Sequence, residues 1–189
     1  MLSSVFLWLG FLFCLGVYIQ PCRKTTLVFS FLSTFLLGIY NLYEVSTVGG
    51  LICFIAITNT FFQIIFPASK SQKETFYRLS VAMLIAVCGT VLMANTHADY
   101  LPMLGFVITC FAETCVRQNR IYQIYALSTF CWLAYAVMHG DLVYSAMNTI
   151  LFLVNILVLF PNYKTKIGGI KPVAMIRIKT YIGRVPQGE

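Results

Sequence analysis

Charge is almost absent from the apolar stretches of this chain, and it enters them at Glu113. A charged side chain within a bilayer costs several kcal/mol unless it is paired or faces water, so this residue needs an account. Arg117 follows at i+4 on the same helical face, in the better orientation for a pair. Two chemistries fit. One is an interfacial salt bridge whose long side chains reach water; the other is a possible coupling acid, a proton carrier on a translocation path. A second constellation is Trp132 with Asn148. Each lies eight residues from Gly140, the centre of a hairpin turn. At about 1.5 Å per residue, both therefore sit about 12 Å below one membrane surface. An indole face suits the apolar face of a sugar or other ring, and an amide both donates to and accepts from hydroxyls. Asn59, Tyr40 and Tyr135 complete the candidate substrate-binding set. The plainer account of these residues is interhelical hydrogen bonding for the asparagines and an aromatic belt at the membrane surface for the tyrosines.

Other chemistry is poorly provided for. The seven cysteines are scattered through apolar stretches without a C-x-x-C pair or a histidine at ligand spacing, so they read as small core residues, and no metal or other cofactor is expected. There is no H-E-x-x-H, no G-x-S-x-G, no Walker motif and no aspartate pair at catalytic spacing, so the chain is not expected to be an enzyme. His97 and His139 fall in loops, where histidines seldom act as sensors.

The elements that must hold these groups are membrane helices. The 189 residues are 59% hydrophobic and 10% charged, with a mean hydropathy of +0.83; soluble domains carry about 25% charged residues. Breaking the chain at its charges gives seven spans: Leu2 to Gln20, Thr25 to Asn41, Ser46 to Phe66, Leu79 to Asn95, Leu101 to Val116, Ile121 to Met138 and Leu142 to Phe160. With helices alternating in direction, all thirteen Lys and Arg fall on one side: Arg23 and Lys24, then Lys70, Lys73 and Arg78, then Arg117 and Arg120, then the tail. Glu44, His97, Asp99, His139 and Asp141 fall on the other. The positive-inside rule then puts the N-terminus outside and the C-terminus in the cytoplasm.

The chain also matches itself. At an offset of 95, Leu32-Ser-Thr-Phe35 aligns with Leu127-Ser-Thr-Phe130, Leu9-Gly-Phe11 with Leu104-Gly-Phe106 and Tyr40 with Tyr135. The expected class is all-α, a polytopic membrane protein of seven transmembrane helices in a 3+1+3 duplicated three-helix bundle. Its units are residues 1–67, a first bundle; 68–99, a linker with the fourth helix; 100–161, a second bundle; and 162–189, a basic tail expected to lie on anionic lipid. An odd connecting helix keeps the two halves parallel in the membrane. Leu37 stands opposite Trp132 in the first half, with no asparagine at the depth of Asn148, so any pocket is asymmetric.

Trp132-Leu-Ala-Tyr135, followed by Gly140-Asp141 and Asn148, resembles the MtN3/SWEET (PQ-loop) superfamily. Leu101-Pro-Met-Leu-Gly105 and Ser128-Thr-Phe-Cys-Trp132 resemble more closely the YgjV-type bacterial inner-membrane proteins, over nearly the whole chain except the tail. The second likeness implies a multi-pass protein of the bacterial inner membrane. The first implies a SWEET-like facilitative transporter of a small neutral solute, a sugar or similar ring compound. Members of the YgjV type tend to carry a basic residue a few positions after an asparagine in the third helix of each bundle; neither Asn59 nor Asn155 is followed by one. The expected partners are the solute and the lipid bilayer, with no nucleic acid. The alternative from another class is a non-transporting membrane scaffold or accessory protein.

Overall fold

A computed structural model of the chain describes residues 2–20, 22–65, 72–114 and 118–159. The basic tail 162–189, much of the 68–99 linker's beginning and the side chain of Arg117 lie outside the described residues. The described residues form seven α-helices and no strand: α1 Leu2–Val17, α2 Arg23–Tyr40, α3 Thr47–Ile65, α4 Gln72–Met93, α5 Tyr100–Thr114, α6 Gln118–Met138 and α7 Leu142–Leu159. A π-helical turn, Asn41–Val45, joins α2 to α3, and a 3-10 turn, His97–Asp99, leads into α5. The all-helical reading therefore stands. Four stretches, Arg23–Val45, Thr47–Ile65, Phe76–Met93 and Ile121–Met138, are long and apolar enough to cross a membrane; Leu2–Val17 and Leu142–Leu157 are apolar but shorter.

Turn chemistry sets the hairpins. Gly140, with φ of +74°, ends α6 in the left-handed region open to glycine. Asp141 then caps α7, its Oδ1 accepting the Tyr144 N–H at 2.9 Å. At the start of α3 the same task falls to Ser46, whose Oγ accepts the N–H groups of Val48 and Gly49 at 3.1 and 3.3 Å. These two caps are 95 residues apart, as are the first residues of α2 and α6 and of α3 and α7.

Packing runs α1 on α2, α2 on α3, then α5 on α6 and α6 on α7. The two series meet chiefly where α3 lies against α5, while α4 rests on α3 and α5. Large apolar side chains point outward, among them Phe76, Leu84 and Leu92 of α4, and the interior holds Asn41, Asn59, Gln63, Glu113 and Asn155. An apolar outer surface over an interior that includes these polar groups suits a lipid solvent, in which polar groups find partners only inside.

Candidate functional site

Two glycine contacts recur 95 residues apart. Gly10 of α1 lies against Leu37 of α2, where a Cβ would come within 2.9 Å of Leu37 Cδ2; Gly105 of α5 lies against Trp132 of α6, where it would come within 3.0 Å of Nε1. Both residues of one contact are 95 positions from their counterparts in the other. The hydrogen bond between Cys14 Sγ and Ser33 Oγ, 2.6 Å, is likewise matched by that between Thr109 Oγ1 and Ser128 Oγ, 2.7 Å.

Between the two series of helices lies a cavity of about 110 Å³. Trp132 and Asn148 both line it, together with Phe106, Ser33 and Tyr144. Five pairs of its lining residues stand 95 apart: Cys14 with Thr109, Thr34 with Thr129, Leu37 with Trp132, Cys53 with Asn148, and Ala56 with Leu151. The cavity thus sits between helices α1–α3 and α5–α7. Its chemistry is lopsided, with indole and amide on one half against isobutyl and thiol on the other. Asn148 donates one Nδ2 hydrogen to Tyr144 O at 2.9 Å. That anchors the amide and, among the described residues, leaves its Oδ1 and second N–H for a ligand. The Trp132 ring is held edge-on to Tyr135, with centroids 5.8 Å apart.

The remaining candidates are placed elsewhere. Tyr40 donates to Asp141 Oδ2 and packs on Tyr144, and Tyr135 packs on His139, all at the end of the bundle where α2, α6 and α7 meet the turns. Asn59 sits toward the opposite end, against Glu113. The aromatic-belt reading of Tyr40, Tyr122 and Tyr135 is corrected: all three are buried, Tyr40 and Tyr122 donating to Asp141 and to Val17 O and the Tyr135 hydroxyl abutting Gly49 of α3. Tyr43, 77% exposed, fits a belt better.

The expectation that Glu113 reaches water at the interface is corrected as well, while its pairing with Arg117 lies outside the described residues. The Glu113 side chain is fully buried, with 0% exposure, and does not reach water. Asn59 Nδ2 donates to Oε2 at 2.9 Å, and the hydroxyls of Thr60 and Tyr125 lie 2.7 and 3.4 Å from Oε1. Arg23 of α2 donates to the backbone carbonyl of Glu113 at 2.6 Å and to Gln63 Oε1 at 3.5 Å. Sequence reasoning missed these partners. The signal in the chain was the run Thr58-Asn59-Thr60, three consecutive polar residues in an apolar helix.

At the end opposite Glu113, Asp99 binds the turns together. Its Oδ2 accepts the N–H groups of Asn95 and Thr96 and the Thr96 hydroxyl at 3.0 to 3.1 Å, and its Oδ1 accepts the Ser46 hydroxyl at 2.9 Å. His139 Nε2 stands 3.4 Å from the same Oδ1. Burial opposes the Asp99 charge, but these donors outweigh it and hold the carboxyl below the usual carboxylate range. A depressed folded value gives stability that is present above the unfolded value, about 3.9, and is lost as pH falls through the folded one. Asp99→Asn should therefore lower stability near neutral pH by about 1 to 2 kcal/mol. It should also remove part of the loss of melting temperature expected of the parent below about pH 4. An unchanged neutral melting temperature would refute the bracing role.

Among the described residues no group of His, Cys, Asp and Glu could hold a metal ion. No curated protein and no solved structure matches the chain. The family model Imp-YgjV, bacterial inner membrane protein, matches residues 1–166. That stretch takes in every helix, the cavity and the buried carboxylate described above, and the chain accordingly belongs to the YgjV family of bacterial inner membrane proteins.

Proposed function

We propose that the protein is a carrier, not an enzyme, moving a small neutral solute through the inner membrane by rocking one three-helix half, α1–α3, against the other, α5–α7. One observation carries this reading: a cavity lies between the halves, and its polar lining is made of uncharged hydroxyl, thiol, amide and indole groups. Such a lining can exchange hydrogen bonds with a neutral ligand and offers no counter-ion to a charged one. The recurrence of lining residues at an offset of 95 supports a 3+1+3 duplication and the likeness to MtN3/SWEET carriers, whose parallel repeats place a site at their interface.

At about 110 Å³, the cavity is smaller than the roughly 150 Å³ apolar cavity that takes up benzene. A sugar or similar ring compound would therefore enter only as the halves part. Cross-half bonds close the space at both ends: Tyr40 to Asp141, and Asn59 and Thr60 to Glu113. The same ties favour the second reading, a rigid scaffold that carries nothing. Purified protein in liposomes, screened for flux of sugars, nucleosides and vitamins, separates the two. Saturable flux of one solute class is expected, and no flux above empty liposomes for any of them would leave the scaffold.

In this reading α1, α5 and α7 complete seven spans, with mismatch taken up by tilt or local thinning. The N-terminus is periplasmic and the basic tail lies on anionic lipid at the cytoplasmic face, because all thirteen Lys and Arg sort to that side. A reporter fused after Glu189 should be active only as a cytoplasmic fusion, and a tag before Leu2 should be labelled from the periplasm. The reverse labelling would overturn the orientation.

A further inference from the structure

The contact between α3 and α5 contains more acceptors than protons. The Thr60 hydroxyl carries one hydrogen, yet Oγ1 lies 3.0 Å from Ala56 O and 2.7 Å from Glu113 Oε1. If that hydrogen goes to Glu113, the carboxylate is charged and accepts from Thr60 and from Asn59. If it goes to Ala56 O, one turn back on the same helix, the short contact to Oε1 remains a hydrogen bond only when Glu113 itself supplies the proton. The neutral acid then donates to Thr60 Oγ1, Thr60 donates to Ala56 O, and Asn59 still donates to Oε2. Both forms are satisfied by the same heavy atoms, and a rotation of one hydroxyl converts the site from one to the other. The bond to Ala56 O is the ordinary i−4 bond of a helical threonine, also made by Thr58, Thr109, Thr129 and Thr149; what is particular to Thr60 is the carboxyl at 2.7 Å on its other side.

Comparison of the halves points the same way. At the offset of 95, Glu113 corresponds to Tyr18 and Thr60 to Asn155. One position holds a phenol and its counterpart an acid, so the carboxyl is particular to the α5 side. We infer that Glu113 is a reversible proton-binding site, sharing its proton with Thr60 across the contact between the two halves. When α3 parts from α5 the acid loses Asn59 and Thr60 and meets water, which solvates the ion. Parting therefore releases the proton, and binding it restores the contact. The use of that proton to drive a solute rests on the carrier reading; its binding does not.

Among the described residues, the charged and titratable groups facing the site are few. Arg23 comes from α2, Cys110 from α5 itself and Tyr125 from α6, with Tyr18, in the turn after α1, beyond Tyr125. From α3 come only the uncharged Asn59, Thr60 and Gln63, and Arg78 of α4 is turned to Phe62.

Infrared difference spectroscopy of the full chain in lipid, stepped between about pH 5 and pH 9, reads the proton directly. The expected result is a carboxylic-acid carbonyl band that titrates in this range, moves on exchange into deuterium oxide and is missing from Glu113→Gln. Thr60→Val keeps the acid but removes the shared hydroxyl. It should move the midpoint by about one pH unit, the size of one hydrogen bond, and this arm decides the matter if Glu113→Gln fails to fold. The proposal is overturned by a parent spectrum without such a band, by a band that persists in Glu113→Gln, or by a midpoint that Thr60→Val leaves in place. No solute is needed, so an absence of flux would count against the carrier alone.

Discussion

Asn148→Ala should weaken binding of the carried solute by about 5- to 150-fold, as should Trp132→Phe to a smaller degree and Trp132→Ala to a similar one. The reasoning starts from the two side chains on one cavity wall. A buried amide contact and a stacked ring are each worth about 1 to 3 kcal/mol, which converts to that range of affinity. Asn148 is the cleaner of the two. Its amide is held to Tyr144 O within its own helix, so alanine removes a ligand contact and one local hydrogen bond without opening a large void. Trp132 packs against both main apolar clusters, those around Tyr135 and Phe106, and its truncation to alanine will also cost stability, on the order of 3 to 5 kcal/mol. Trp132→Phe keeps a ring and most of that packing. The measurement is the Kd for the solute found in the flux screen, alongside the melting temperature. Lower melting temperatures with unaltered Kd in all three variants would make both residues ordinary packing.

Depth could be read from the chain, and azimuth could not. Counting eight residues on either side of Gly140 placed Trp132 and Asn148 at one level, because helix rise is nearly constant, and the structure sets both on one cavity. The same arithmetic said nothing about Tyr40 and Tyr135. A helix that is apolar on every side carries no stripe to show which face turns inward. Their position near segment ends suggested a belt, whereas Tyr40 bonds across to Asp141 and Tyr135 is buried against His139. Glu113 shows the same limit. Arg117 at i+4 was the neighbour visible in the chain, but the described contacts come from Asn59 and Thr60, more than fifty residues earlier, brought in by the packing of α3 on α5. The offset of 95 was legible from a few identities, and its consequences for packing were not. Gly10 with Leu37 and Gly105 with Trp132 share a contact although leucine and tryptophan share little else.

That correspondence allows the strongest test of the site, a transfer of its chemistry from one half to the other. The four positions Leu37, Cys53, Trp132 and Asn148 line one cavity as two equivalent pairs. Gly10 offers Leu37 the same shallow seat that Gly105 offers Trp132. Trp132→Leu with Asn148→Cys should weaken solute binding by at least the 5- to 150-fold expected of either residue alone, since both ring and amide contacts are lost. Adding Leu37→Trp and Cys53→Asn puts an indole and an amide back on the opposite wall, related to the original pair by the symmetry of the halves. Total side-chain volume in the cavity is unchanged, which is the condition under which repacked interiors keep their fold. The fourfold variant should recover affinity to within about tenfold of the parent, a residue of about 1.4 kcal/mol for imperfect symmetry. Recovery cannot come from a scaffold in which Trp132 and Asn148 serve only their own helices. If the fourfold variant folds, judged by its melting temperature, and still binds no better than the double one, then the indole and amide do not act from a shared cavity and the pocket assignment is wrong.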